Sequence, residues 1–269
     1  MPGRQRSGGS FPASRARRSP LSAVCITLSI MASHMIPSSK KSARPLASLQ
    51  KTRVRALAPE RVDAILSALN EAYPDAACAL NHRTPWELLV ATILSAQCTD
   101  ARVNMVTPEL FRRFPTPATM SKAKLSEIED LVRTTGFFRN KAKSIQGAAL
   151  KITAEFGGKV PQTLAELITV PGAARKTANV VLGVSFGKAE GVVVDTHVFR
   201  ISRRLELAKG ETPQAVEKEL MTVLPQGRWI SYSHQVIHHG RLVCVARNPK
   251  CEKCNLETLC RAKDKTWES

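Results

Sequence analysis

Val170-Pro-Gly-Ala-Ala-Arg-Lys-Thr-Ala-Asn179 interrupts two apolar segments, Thr163–Val170 (TLAELITV) before it and Val180–Gly187 (VVLGVSFG) after it. Pro171 and Gly172 end the first segment and start a tight turn between two helices. Arg175 and Lys176 then fall in the first turn of the second helix. Unpaired backbone N–H groups and the positive end of the helix dipole suit a phosphate at that point. The same dipole works against an ammonium, so Lys176 is a candidate amine nucleophile for Schiff-base chemistry. Taken alone, the stretch reads more simply as a helical hairpin with two solvated cations.

Outward from the hairpin, the chain reads as helix after helix. Val62, Ile65, Leu66, Leu69 and Tyr73 recur at helical spacing between Glu60 and Tyr73. Thr84-Pro-Trp-Glu87 is a capping box with proline at the first helical position. The helix it opens, Trp86–Gln97, is apolar nearly all round and should be central. Asp100 can cap a short helix, and Thr107-Pro108 the next. Lys122–Thr134, Asn140–Phe156, Thr196–Leu205, Pro213–Leu224 and Arg228–Val243 are further predicted helices. Thr163-x-x-Glu166 is a second capping box. Only Gly191–Val194 (GVVV) is strand-like, and it is short. The predicted fold class is all-α, with neighbouring helices packed through short connections.

Lys plus Arg outnumber Asp plus Glu by 40 to 22 in 269 residues, an excess that points to a polyanion. Eleven basic and no acidic residues precede Glu60, so residues 1–59 carry +11 and the remainder +7. That first segment is rich in Ser, Pro and Arg, a composition that favours disorder. A basic stretch and an apolar run (residues 21–32) inside it resemble a signal or transit peptide. The run is too short to span a bilayer. A disordered basic tail, or a start mis-chosen upstream of a true one at Met31 or Met35, is the preferred reading, since the later cysteines argue against secretion. The expected location is cytoplasmic and nucleoid-associated, with organelle targeting the alternative. Nothing specifies an oligomer, so a monomer is the default.

Cys244, Cys251, Cys254 and Cys260 have the spacing C-x6-C-x2-C-x5-C. Four thiols so close together read as a metal site, not disulfides. Zinc accepts four thiolates but commonly uses paired C-x2-C knuckles. A single knuckle suits an iron–sulfur cluster better, with zinc as the alternative. Cys25, Cys78 and Cys98 fall outside this set, and the last two are expected to be buried thiols.

The ordered set of Leu94–Asp100 (LSAQCTD), Gly136–Ile145 (GFFRNKAKSI), Val170–Leu182, Val194–Arg200 (VDTHVFR), His239–Cys244 (HGRLVC) and the four cysteines resembles the endonuclease III family. The resemblance runs from about residue 60 to the C-terminus. It implies base-excision DNA glycosylase activity with an abasic-site lyase activity. By that resemblance Lys176 is the nucleophile and Asp195 the essential acid, whose plainer role is to cap the following helix. Gln97 and Phe137 match positions inserted into the duplex; by themselves they read as a helix-end polar residue and a core aromatic. Gly172, Ala174 and Arg175 would meet DNA phosphates. The cysteines would hold a [4Fe–4S] cluster ordering a basic loop with Arg247 and Lys250.

The family commonly has glycine where Ala174 stands. If that position needs positive φ, alanine costs on the order of 1 kcal/mol. The implied architecture is a six-helix domain over residues 78–188 and a cluster domain of 60–77 plus 189–269, with duplex DNA in the cleft between them. Oxidised pyrimidines are the expected substrates. The alternatives are an adenine-type monofunctional glycosylase, a non-catalytic iron–sulfur DNA-binding or redox-sensing protein, and a zinc-stabilised module. Lys176 and the absence of a further domain after Cys260 argue against the first. The pairing of Lys176 with Asp195 argues against the second.

Overall fold

The computed structural model describes residues 58–266. The apolar run at 21–32 and the rest of the basic extension lie outside them. Among the described residues every regular element is a helix. Helix α1 is Pro59–Ala72, α2 Pro85–Leu94, α3 Asp100–Arg113, α4 Pro117–Ser121, α5 Leu125–Val132 and α6 Phe138–Glu155. They are followed by α7 Leu164–Leu167, α8 Arg175–Phe186, α9 Thr196–Arg204, α10 Pro213–Val223 and α11 Trp229–Leu242. No helix among them is long and apolar enough to cross a membrane.

Five of the helices start where threonine supplies an acceptor. Thr84, Thr99, Thr116, Thr163 and Thr212 each accept a hydrogen bond from an N–H of the helical turn they precede. At Thr84 the predicted box is displaced, because Glu87 Oε2 accepts from the N–H of Arg83 at 2.6 Å. Thr99, not Asp100, caps α3, and Thr107-Pro108 does not open a new helix. Val103, Thr107 and Leu110 continue one buried stripe through it. Pro108 lies on the exposed side, where its missing hydrogen bond is tolerated. The real break comes at Phe114, after which Thr116 opens α4, a helix that periodicity alone does not reveal.

Two hydrophobic cores result. One joins α2 to α8 and includes Leu88, Leu94, Leu110, Ile145, Ile152 and Leu182. The other joins α1 with α9 to α11 and the loop after them, around Ile65, Leu69, Val198, Leu220 and Tyr232. Helix α2 is buried on all sides, as its composition implies. Gly191–Val194 is not a strand. It is irregular chain, with a bend at Gly191, whose Val192 and Val194 enter the second core, pinned by Val193 N–H donating to Ser233 Oγ at 3.1 Å. The cores meet at several named contacts. A Cβ at Gly183 of α8 would lie 3.2 Å from Ile230 of α11. Arg241 of α11 pairs with Asp100 of α3 at 2.7 Å.

Candidate DNA interface and cysteine site

The hairpin is tighter than its sequence suggests. Helix α7 is only four residues long, because Thr169 and Val170 form i→i+3 bonds and Pro171 comes next. The turn closes through Ala173 N–H donating to Val170 O at 3.0 Å. Gly172 sits at φ 79, and a Cβ there would meet Ser144 Cβ at 3.0 Å and Ile93 Cδ1 at 3.1 Å. Both the left-handed backbone and the close approach of α2 and α6 therefore require glycine. Ala174 is at φ −64 in extended geometry, so the cost anticipated for alanine does not arise. It is exposed and, having no polar side chain, leaves the first N–H groups of α8 without a side-chain cap. Lys176, also exposed, stands in that first turn.

Asp195 caps α9. Its Oδ1 accepts from the N–H groups of His197 and Val198, both at 2.8 Å, which fixes the carboxylate. The segments carrying Lys176 and Asp195 are linked by a residue that sequence reasoning passes over. Glu217 of α10 accepts from Arg175 Nε through both oxygens at 3.0 Å and from Asn179 Nδ2 at 2.9 Å. Arg175, expected as a phosphate contact, is thus engaged within the protein through Nε. Gly191, four residues before Asp195, passes so close that a Cβ there would overlap Glu217 Oε1. The signal in the sequence is an acid in a helix stripe between Val216 and Leu220, both of which are buried.

Gln97 and Phe137 are both exposed, and both have left-handed backbones, with φ of 52 and 48. Gln97 lies in a turn beyond α2, which ends three residues earlier than predicted. Phe137 is 66% exposed, so it is not a core aromatic. The ring that packs is Phe138, with the guanidinium groups of Arg133 and Arg139 5.6 and 5.2 Å from its centroid.

All four C-terminal cysteines are free thiols and line one small hollow, shared with Ile201, Leu205 and Leu256 and edged by Arg204, Lys250 and Lys265. Among the described residues no three metal-binding groups converge on a single-ion position. The sulfurs meet polar neighbours: Arg200 Nη1 lies 3.5 Å from Cys244 Sγ, His239 Nε2 lies 3.6 Å from Cys254 Sγ, and Thr266 N–H donates to Cys251 Sγ at 3.4 Å. Burial pushes the Cys254 thiol up to about 11. Burial, aided by Arg200, pushes His239 down to about 4, so its ring is neutral near pH 7. Arg247 and Lys250 are exposed on the loop between the first two cysteines, which Lys250 N–H closes by donating to Val243 O at 3.1 Å. Cys78 and Cys98 are only half-buried, against expectation, packed at the edge of the first core.

A helical hairpin docked on a buried central helix, beside a second helical core, is the architecture of the HhH-GPD superfamily of base excision DNA repair proteins, whose family model matches residues 90–226. Within it, the chain belongs to the endonuclease III family. The endonuclease III of Synechocystis sp. is 55% identical over 201 residues, 75% of this chain and 92% of that relative. That of Bacillus subtilis is 41% identical over 203 residues, again 75% and 92%. A solved non-covalent endonuclease III–DNA complex superposes with a TM-score of 0.72 at 42% identity, covering 76% of this chain and 96% of that one. A trapped endonuclease III–DNA covalent intermediate matches to the same extent.

Proposed function

We propose that this chain is a DNA glycosylase with associated abasic-site lyase activity, acting on oxidised pyrimidines in duplex DNA. The observation that carries the reading is Lys176, exposed in the first turn of a helix whose leading N–H groups have no side-chain acceptor. DNA would lie between the two cores, with a phosphate at the Gly172–Arg175 turn. The target C1′ is inaccessible within the stack, so the nucleotide must be extruded, with Gln97 and Phe137 filling the gap.

Lys176 attacks C1′ through its amine lone pair. The bond to the base breaks, the base leaves with its electron pair and takes a proton, and the amine gives one up. The sugar opens to a protonated Schiff base. Loss of the C2′ proton expels the 3′ phosphate by β-elimination and nicks the strand, and water then releases Lys176. Asp195, held by two N–H groups at Oδ1, leaves Oδ2 to take the ammonium proton or to face positive charge developing on the sugar. The covalent intermediate trapped for a relative supports this course.

The four cysteines would hold a [4Fe–4S] cluster. Four thiols lining one hollow, the exposed wall of which is almost wholly apolar, are the donor set such a cluster takes. Held by these four residues, such a cluster would supply covalent cross-links that order the loop, a structural role outside base removal. Arg247 and Lys250 would then face phosphates. The test is borohydride trapping on a duplex with one thymine glycol. A covalent adduct, absent from Lys176→Gln, is expected; base release without an adduct would remove Lys176 from its role.

A further inference from the structure

Lys141 is a buried cation that the chemistry above does not use. It stands in the first turn of α6 and is 6% exposed. Its Nζ donates to Leu94 O at 2.8 Å and to Thr135 O at 2.6 Å. Leu94 is the last residue of α2, and its carbonyl is one of the acceptors a helix C-terminus leaves open. Thr135 ends the 3-10 turn after α5. Burying an ammonium is costly unless it is well paired, and two carbonyls from separate segments provide that pairing. Burial lowers the proton affinity of Lys141, and the neighbouring Cys98 sulfur opposes the shift.

Each of these carbonyls stands just before an exposed, strained residue. Gln97 comes three residues after Leu94, and Phe137 two after Thr135. Both hold a left-handed backbone that a residue with a side chain adopts only when its surroundings impose it. Among the described residues Lys141 is the one buried lysine, and it ties the roots of both loops together. We infer that Lys141 is a positioning residue that sets the Gln97 and Phe137 loops in fixed register, so that one base pair is probed from both sides at once. The inference rests on the gap-filling reading of Gln97 and Phe137 proposed above.

The test is a cycle in the full-length holoprotein. Lys141→Met keeps the length of the side chain and removes the donor. Gln97→Ala/Phe137→Ala removes the two probes. The readout is the ratio of affinities for a duplex with a stable abasic analogue and for the undamaged duplex, with 2-aminopurine beside the lesion reporting unstacking. Lys141→Met is expected to lower that ratio roughly tenfold or more, the scale of one lost charged hydrogen bond. Binding to undamaged DNA and its salt dependence should stay unchanged, and Lys141→Arg should restore part of the ratio. In the probe-less background Lys141→Met should have little further effect. A merely structural lysine would lower the ratio equally in both backgrounds, and that additive result overturns the inference while leaving the probes intact. If the probe-less variant keeps the full ratio, the gap-filling reading falls and takes this inference with it. Should Lys141→Met fail to fold, Lys141→Gln, which still donates to one carbonyl, carries the same cycle.

Discussion

Truncating Glu217 should destabilise the protein through two separable losses. The pair with Arg175 is half open to solvent, with side-chain exposures of 48% for Arg175 and 10% for Glu217, so screening limits it to about 0.5–1 kcal/mol. Asn179 is different. It is 3% exposed and its Oδ1 has no hydrogen-bond partner, so losing Glu217 leaves the whole amide unpaired. An orphaned buried donor costs about 1–3 kcal/mol. Glu217→Ala should therefore cost about 1.5–4 kcal/mol and lower Tm by roughly 3–15 °C. Glu217→Gln keeps an oxygen for Asn179 and loses only the ion pair, so about 1 kcal/mol or less is expected. Gly191→Ala gives an internal control, because its Cβ would overlap Glu217 Oε1 and lie 2.5 Å from Asn179 Nδ2. In the wild-type background that overpacking should cost about 1–3 kcal/mol. With Glu217 already truncated, the nearer obstacle is gone and the cost should fall by about 1 kcal/mol. Scanning calorimetry on the wild type, the two single variants and the double variant reads the cycle. Strictly additive costs, or a Glu217→Ala Tm equal to wild type, would refute the account of this junction.

Asp195→Asn should preserve α9, since asparagine caps a helix about as well as aspartate, so Tm should move little. Base release in a single turnover should nonetheless slow strongly; an unchanged rate would reduce Asp195 to a cap. Lys250→Ala should weaken DNA binding and reduce the slope of log affinity against log salt by about one. An unaltered slope would mean that the loop does not touch phosphate.

Identical dipeptides show where the sequence stops being legible. Thr84-Pro85, Thr107-Pro108, Thr116-Pro117 and Thr212-Pro213 all look like helix starts. Three are, but Thr107 is 1% exposed in the middle of α3, facing a core assembled from residues far along the chain. Local capping chemistry proposes a helix start, and packing decides whether it is used. The same holds for Gly191–Val194, whose apolar run signals burial, which it finds without a strand partner. The hairpin read from Val170–Asn179 is correctly placed, yet the strained position within it is Gly172 rather than Ala174, a distinction that exists only once α2 and α6 close on the turn.

The candidate site divides along the same line. Lys176, Asp195 and the four cysteines stand out in the sequence because the roles proposed for them depend on short spacings: a helix start, a cap and a thiol cluster. Glu217 and Lys141 are invisible by that route, since a charged residue on a helix ordinarily marks its solvated face. Their partners lie 42 and 38 residues away for Glu217, and 47 and 6 for Lys141. A buried charge must find such partners or be expelled. The charges that a periodicity reading discards as surface are therefore the ones that, once buried, fix how separate segments meet, and here Glu217 sits beside the segments of Lys176 and Asp195 and Lys141 at the roots of Gln97 and Phe137.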